Sequence, residues 1–183
     1  GAFSPVSDHL FINLLGEKFE VGNARLKGLG QWGAGLGVVT DDFNQDGWVD
    51  CYVANDGSSN LMWINQQDGT FQEEALFSGA ALNMDGLPEA SMGVTSGDFE
   101  GDGDPDLFMC HIMEETHTIY LNQGDGFFED ATSKLGIGAR SRGFTGFGTL
   151  WFDLDNDSWL DLLILHGAVR IQLDQAATGD PYP

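Results

Sequence analysis

The chain has 183 residues, 42% of them hydrophobic, enough for one globular domain with a core and too apolar for a disordered tail. Seven basic residues against 29 acidic ones leave a formal charge of −22, which repels nucleic acid and anionic membrane surfaces. No apolar run reaches the ~18 residues that a membrane-spanning helix needs.

Taken from the N-terminus, Gly1-Ala2-Phe3 is not a start signal, so a processed or cut end is expected. HLFINLLGEKFEV at 9–21 then reads as two short strands joined by a hairpin. A glycine-rich stretch, GQWGAGLG, leads into an apolar run at 37–40. It lacks the strand–loop–helix setting of a phosphate cradle, and its glycines suit an innermost strand in a crowded place. The run enters an acidic segment and leaves it as a second apolar run at 51–54. LMWINQQDGTFQEE at 61–74 repeats the first element, with Asp68-Gly69 supplying the turn. The series then recurs: an acidic segment, an apolar run at 107–110, TIYLNQGDGFFED at 118–130, a third acidic segment and a run at 162–165. Short helices are expected within 76–90 and at 171–177.

Aligning the acidic segments exposes the repeat. GVVTDDFNQDGWVDCYVAN (37–55), GVTSGDFEGDGDPDLFMCH (93–111) and GTLWFDLDNDSWLDLLILH (148–166) start their nine-residue motifs at Asp42, Asp98 and Asp153, 56 and 55 residues apart. Asn13, Asn65 and Asn122 align, as do Phe19, Phe71 and Phe128. A period of about 50 residues with four short strands in each predicts an all-β architecture of four-stranded antiparallel blades, as in a β-propeller. About three blade equivalents are expected: a half blade at 9–34, whole blades at 35–91 and 92–145, and a half blade at 146–183. Three equivalents fall short of the usual four to eight. A piece of a longer chain is therefore the preferred expectation, with completion by further copies as the alternative.

The motifs have the form D-x-(D/N/E)-x-D-G-x-x-D. Oxygen donors stand at positions one, three, five and nine: Asp42, Asn44, Asp46 and Asp50; Asp98, Glu100, Asp102 and Asp106; Asp153, Asp155, Asp157 and Asp161. A backbone carbonyl at position seven (Trp48, Asp104, Trp159) can add another donor. Oxygen-only sets of six to eight donors suit calcium; the absence of Cys and His from the loops argues against zinc, and magnesium prefers fewer protein ligands. Two bare carboxylates ~5 Å apart repel by about 3 kcal/mol at an effective dielectric near 20, and a divalent cation reverses that sign. About three calcium ions are expected, one per loop. An EF-hand would need an acid at position twelve and a following helix; Val53, Met109 and Ile164 occupy that place instead. Ser158 stands where Gly47 and Gly103 stand, at a position expected to need positive φ.

These residues carry a resemblance. DFNQDGWVDCYVAN and GDFEGDGDPDLF resemble FG-GAP and VCBS repeats, the calcium-loop blades of integrin-α-type propellers. MGVTSGDFEGDGDPDLFMCH, IYLNQGDGFFEDATSKLGIG and GFTGFGTLWFDLDNDSWLDLLILHGAV look like the repeat region of the ASPIC/UnbV group, which includes the cartilage acidic proteins. The resemblance implies a calcium-stabilised propeller outside the cytoplasm, extracellular or periplasmic, in adhesion, matrix or filament roles. A protein or glycan partner or self-association is expected, and, with no apolar run of spanning length, no direct membrane insertion. A polysaccharide-active propeller enzyme, lyase-like, or a glycan-binding lectin is the alternative.

The remaining polar and aromatic residues yield no catalytic set. His111 and His166 share the repeat position of Asn55 and are expected to hydrogen-bond at strand ends; His9 and His117 are expected at the surface. Trp32, Trp48, Trp63, Trp151 and Trp159 are expected to pack between blades rather than stack on sugars. Cys51 and Cys110 are expected to be buried free thiols on opposite faces of different strands. The connections 22–34, 76–91 and 132–145 are expected to carry recognition, with Lys134, Arg140 and Arg142 as a local basic spot in the last.

Overall fold

The computed structural model describes residues 6–28 and 32–169. In chain order the strands are β1 (Val6–Ser7), β2 (Phe11–Leu14), β3 (Lys18–Val21), β4 (Leu26–Lys27), β5 (Trp32–Gly33), β6 (Gly35–Asp41), β7 (Asp50–Asn55), β8 (Leu61–Asn65), β9 (Phe71–Glu73), β10 (Ser91–Gly97), β11 (Asp106–His111), β12 (Thr118–Asn122), β13 (Phe128–Asp130), β14 (Thr145–Phe152) and β15 (Asp161–Gly167). Helix is confined to a 3-10 turn at Asn23–Arg25 and to single turns at Ala75–Ser78 (α1), Thr132–Leu135 (α2) and Gly138–Ser141 (α3). The fold is all-β and largely antiparallel. The 171–177 helix expectation lies outside the described residues.

Strands β6–β9 form an antiparallel meander, sheet one, and β10–β13 form another, sheet two. β4 joins sheet one as a fifth strand, parallel to β9, which the sequence did not signal. β14 pairs with β15, β2 with β3 and β1 with β5 as separate hairpins or ribbons. The turns after β8 and β12 bend at Gly69 (φ 85°), Asp125 (φ 54°) and Gly126 (φ 76°), where Gly and Asp tolerate left-handed backbone. Each first–second strand pair shifts register at one repeat position, Gly35/Gly37, Ser91/Val94 and Gly146/Gly148.

The sheets pack face to face through alternating side chains. Tyr52 and Ala54 of β7 meet Leu107 and Met109 of β11 in one core. Phe108 and Cys110, on the other face of β11, meet Trp151 of β14 and Leu162 and Ile164 of β15 in the next. The first strands β6, β10 and β14 lie side by side across these seams, close enough to require glycine. A methyl group at Gly37 would come within 2.2 Å of the Met92 carbonyl oxygen, and one at Gly93 within 2.3 Å of that of Phe147. Buried tyrosines pin the 76–90 connection: the Tyr52 hydroxyl donates to the Ala80 carbonyl (2.6 Å) and the Tyr120 hydroxyl to that of Leu82 (2.7 Å).

Both cysteines are free; Cys110 is buried as expected, but Cys51, on the opposite face, is only half-buried because its side chain borders an open apolar pocket. Trp63 and Trp151 are buried, but Trp48 and Trp159 are 48% and 58% exposed. Position seven lies in the loop rather than on a strand, so neither ring of that pair enters a core. The side chain of Trp32 lies outside the described residues.

Candidate metal centres

The three acidic loops share one internal construction. The position-one aspartate accepts backbone N–H groups with both oxygens: Asp42 from Asp46 (3.0 Å) and Gly47 (2.8 Å), Asp98 from Asp102 (3.0 Å) and Gly103 (2.9 Å), Asp153 from Asp157 (3.1 Å) and Ser158 (3.0 Å). The position-five aspartate caps position seven, with Trp48, Asp104 and Trp159 N–H groups donating to Asp46, Asp102 and Asp157. Positions four and six turn left-handed in every loop: Gln45 and Gly47, Gly101 and Gly103, Asn156 and Ser158. Position six was legible from its glycines; position four was not, because Gln45 and Asn156 occupy it in two loops. The recurring bonds fix the position-one and position-five carboxylates on the backbone of each loop.

In loop three, Asp153, Asp155 and Asp161 each bring a carboxylate oxygen within 4.8 Å of the others. Among the described residues this is the one such set of three acidic, His or Cys donors. The set is oxygen-only and fits a hard divalent cation. In loops one and two, position nine has a different setting. Asp50 is fully buried and accepts the N–H groups of Phe43 (3.1 Å) and Asn65 (2.8 Å); Asp106, also fully buried, accepts those of Phe99 (2.9 Å) and Asn122 (2.9 Å). Burial pushes both carboxyls up to about 6, despite these donors, with the neighbouring acids of the loop adding to the rise. A bound cation would oppose that rise.

The loops also touch one another. The Gln45 amide donates to the Gly103 carbonyl (3.0 Å) and to the Asp104 carboxylate, so the Asp104 side chain is used between loops. The Trp159 ring lies 3.4 Å from where a Gly101 methyl would sit. Gln67 reaches Asp46 from the β8–β9 turn (3.0 Å).

At the opposite end of the strands is a buried histidine group. His111 Nε2 lies 3.1 Å from Ser91 Oγ and 3.6 Å from Glu89 Oε2, and the His111 N–H donates to His117 Nδ1 (3.1 Å). Serine and carboxylate approach the same ring nitrogen, so this is no Ser–His–acid relay. Burial lowers His111 to about 3, helped by His117, and lowers His117 to about 4, helped by His166. His117 is fully buried rather than at the surface, because the 132–145 connection folds over it and Ser141 Oγ accepts its N–H (2.9 Å). His9 is exposed, as read from sequence. Arg142 is held locally, its Nε donating to the Glu114 carbonyl (3.1 Å); Lys134 and Arg140 are exposed.

Residues 42–109 match the family model of the FG-GAP-like repeat, a span from loop one into β11. The chain is 26% identical over 145 residues to cartilage acidic protein 1 of Homo sapiens, covering 75% of this chain and 21% of that protein. The same protein of Mus musculus gives 26% over 145 residues, 75% of this chain and 22% of the relative. The chain thus spans about a fifth of the length of the curated relatives it matches. By these two likenesses the chain is similar to FG-GAP-like repeat proteins and, distantly, to the cartilage acidic proteins.

Proposed function

We propose that this chain is a non-catalytic, calcium-binding segment of a β-propeller that serves extracellular adhesion, matrix or filament assembly. Its blades are 9–34 (half), 35–91, 92–145 and 146–183 (half). The observation that carries the calcium reading is the threefold recurrence of one carboxylate-lined turn, with donors converging within 4.8 Å in loop three. Asp153, Asp155, Asp157 and Asp161 with the Trp159 carbonyl would hold one ion. Asp42, Asn44, Asp46, Asp50 and the Trp48 carbonyl would hold a second; Asp98, Glu100, Asp102, Asp106 and the Asp104 carbonyl a third. The ions' work is structural: they offset the repulsion among clustered carboxylates and fix the turns that enter each second strand. The glycine-tight seams between first strands support the propeller reading, since such strands crowd around a central axis in that architecture. No helix among the described residues is long and apolar enough to cross a membrane. The distant likeness to cartilage acidic protein 1 supports a protein or glycan partner in an extracellular setting.

Thermal unfolding with excess chelator, then with calcium restored, tests the metal reading. The expected outcome is a large, reversible fall in Tm, with titration calorimetry giving about three sites. An unchanged melt with no heat of binding would end it.

A further inference from the structure

The aligned phenylalanines Phe19, Phe71 and Phe128 set a common register for the residues around them. Six residues after them stand Arg25, Phe77 and Lys134; five after, Ala24, Leu76 and Ser133; one before, Lys18, Thr70 and Phe127. The repeat puts basic, small or polar residues at these positions except at one seam, where sheet one supplies Leu76 and Phe77 and sheet two supplies Phe127.

The fold brings these exceptions together. α1 buries Ala75 and Ser78 and leaves Leu76 and Phe77 75% and 74% exposed. Phe127, in the turn before β13, is 45% exposed. The Phe77 and Phe127 rings lie 5.5 Å apart between centroids, tilted by 58°. At the preceding seam the same place is polar: Arg25 donates to the carbonyl of Gly69 (3.5 Å), the repeat counterpart of Gly126. A polar contact has thus become an aromatic pair left largely in water, the mark of a binding surface rather than of a core. Both rings are firmly mounted. A methyl group at Gly79, which ends α1, would come within 2.7 Å of the Phe128 carbonyl oxygen. The Phe127 carbonyl accepts the Gln123 N–H (2.6 Å), and the Asn122 amide donates across the seam to the Phe43 carbonyl (2.8 Å).

The border of the patch is acidic. A cavity of about 60 Å³ opens beside the two rings, and a shallow cleft of about 640 Å³ runs along Leu76 and Phe77. Glu74 lines both, Asp125 the first and Glu73 the second; among the described residues no Lys, Arg or His lines either. Glu73 is spent on the N–H groups of Met62 (3.2 Å) and Ala75 (2.8 Å). Glu74 and Asp125 have no ion pair among the described residues.

We infer that this aromatic pair and its acidic border dock a cationic segment of a partner protein, with a large apolar side chain on Phe77 and Phe127 and flanking Lys or Arg on Glu74 and Asp125. Charge complementarity selects this occupant. A second copy of the chain, with seven basic residues against 29 acidic ones, brings charge of the wrong sign, as does an anionic membrane or an acidic glycan. Phenylalanine offers no polar edge to fix the hydroxyls of a neutral sugar. Nor is the patch a sheet face awaiting a neighbour: sheets one and two each hold all four meander strands, and they pack through other side chains.

The inference rests on the protein-partner reading above, and on neither the metal nor the number of blades. The test is fluorescence anisotropy of a labelled hexapeptide, Lys-Lys-Leu-Phe-Lys-Lys, titrated with the whole chain in calcium and physiological salt. Saturable one-to-one binding is expected. Phe77→Ser with Phe127→Thr changes two exposed side chains without changing the net charge, and is expected to weaken binding about tenfold or more. Glu74→Gln with Asp125→Asn is expected to weaken it severalfold and to flatten its salt dependence. Leu15→Ser and Asp85→Asn, exposed in other loops, are expected to change nothing. A peptide of equal charge with Ala-Ala at its centre is expected to bind as weakly as the wild-type peptide binds the ring variant. Leu76→Ser stands in if the ring variant loses its native circular dichroism spectrum. No saturation up to about 1 mM chain, or displacement of the peptide by neutral cellohexaose, would overturn the inference. So would wild-type dimers in sedimentation velocity that Phe77→Ser dissolves. Peptide binding that ignores the ring substitutions would also overturn it, while leaving the protein-partner reading to another surface.

Discussion

Loops two and three carry the same number of ligand-position carboxylates in the same order, yet they differ at position nine. Asp106 is fully buried, with both oxygens on backbone N–H groups of two different strands. Asp161 is exposed, with one such bond. The difference follows from what stands next to the second strand. Beside β11 lies β12, which delivers Asn122; beside β15 no described strand delivers the equivalent. Position nine is therefore two things at once, a candidate cation ligand and a clamp that ties the acidic loop to the third strand of its own sheet.

The largest expected effect breaks that contrast directly. Asp106→Ala strands two buried N–H donors and should cost about 4 kcal/mol when unfolding is followed in chelator, where any metal contribution is removed. Asp161→Ala under the same conditions should cost well under 1 kcal/mol, as an exposed site allows. Equal losses from the two variants, read as urea midpoints at constant m-value, would mean that the clamp is not what separates them.

A second contrast lies at the other end of the strands, between Asn55 of sheet one and His111 of sheet two. Asn55 donates to the Ser59 carbonyl (2.8 Å) and carries no titratable proton. His111 is held neutral by burial, and His117 beside it reinforces this, whereas Glu89 at 3.6 Å favours the charged form. A histidine with folded pKa near 3 and unfolded pKa near 6.5 takes up its proton in the unfolded chain first. Stability from this group is thus fully present above about 6.5 and is lost as pH falls toward 3. His111→Asn copies sheet one into sheet two. The wild-type chain should lose about 1–2 kcal/mol relative to this variant between pH 6.5 and pH 5. A difference in stability that stays flat over that interval, measured by denaturant unfolding at each pH, would contradict a neutral His111.

What the sequence made legible was whatever recurs at fixed spacing. Three repeats place Asp42, Asp98 and Asp153 in register, so the loops, the flanking strands and the turns could be read by comparing the chain with itself. Asn65 and Asn122 were visible as aligned residues, but their bonds were not: the backbone N–H groups reach Asp50 and Asp106 across a strand pairing, and the side-chain amides reach the Val49, Phe43 and Pro105 carbonyls. Non-repeated features were hidden for a matching reason. β4 is two residues of an irregular connection, identifiable only by the parallel neighbour it finds in β9. His117 read as a polar strand start because nothing local announces that α3 will cover it.

The smallest expected effect compares one backbone angle across loops. Position six is Gly47 (φ 88°), Gly103 (φ 98°) and Ser158 (φ 75°). A left-handed angle costs an L-residue roughly 1 kcal/mol that glycine does not pay, and glycine's larger unfolded-state entropy returns part of the difference. Ser158→Gly keeps the N–H that reaches Asp153 and alters only an exposed side chain. It should therefore stabilise the chain by a few tenths to about 1 kcal/mol, a rise of about 2 °C in Tm for a chain of this size. Gly103→Ser should lower Tm by a similar amount. If both substitutions proved silent in matched calorimetric scans, backbone strain at position six would not distinguish loop three from its neighbours. The contrast between the loops would then rest on position nine alone.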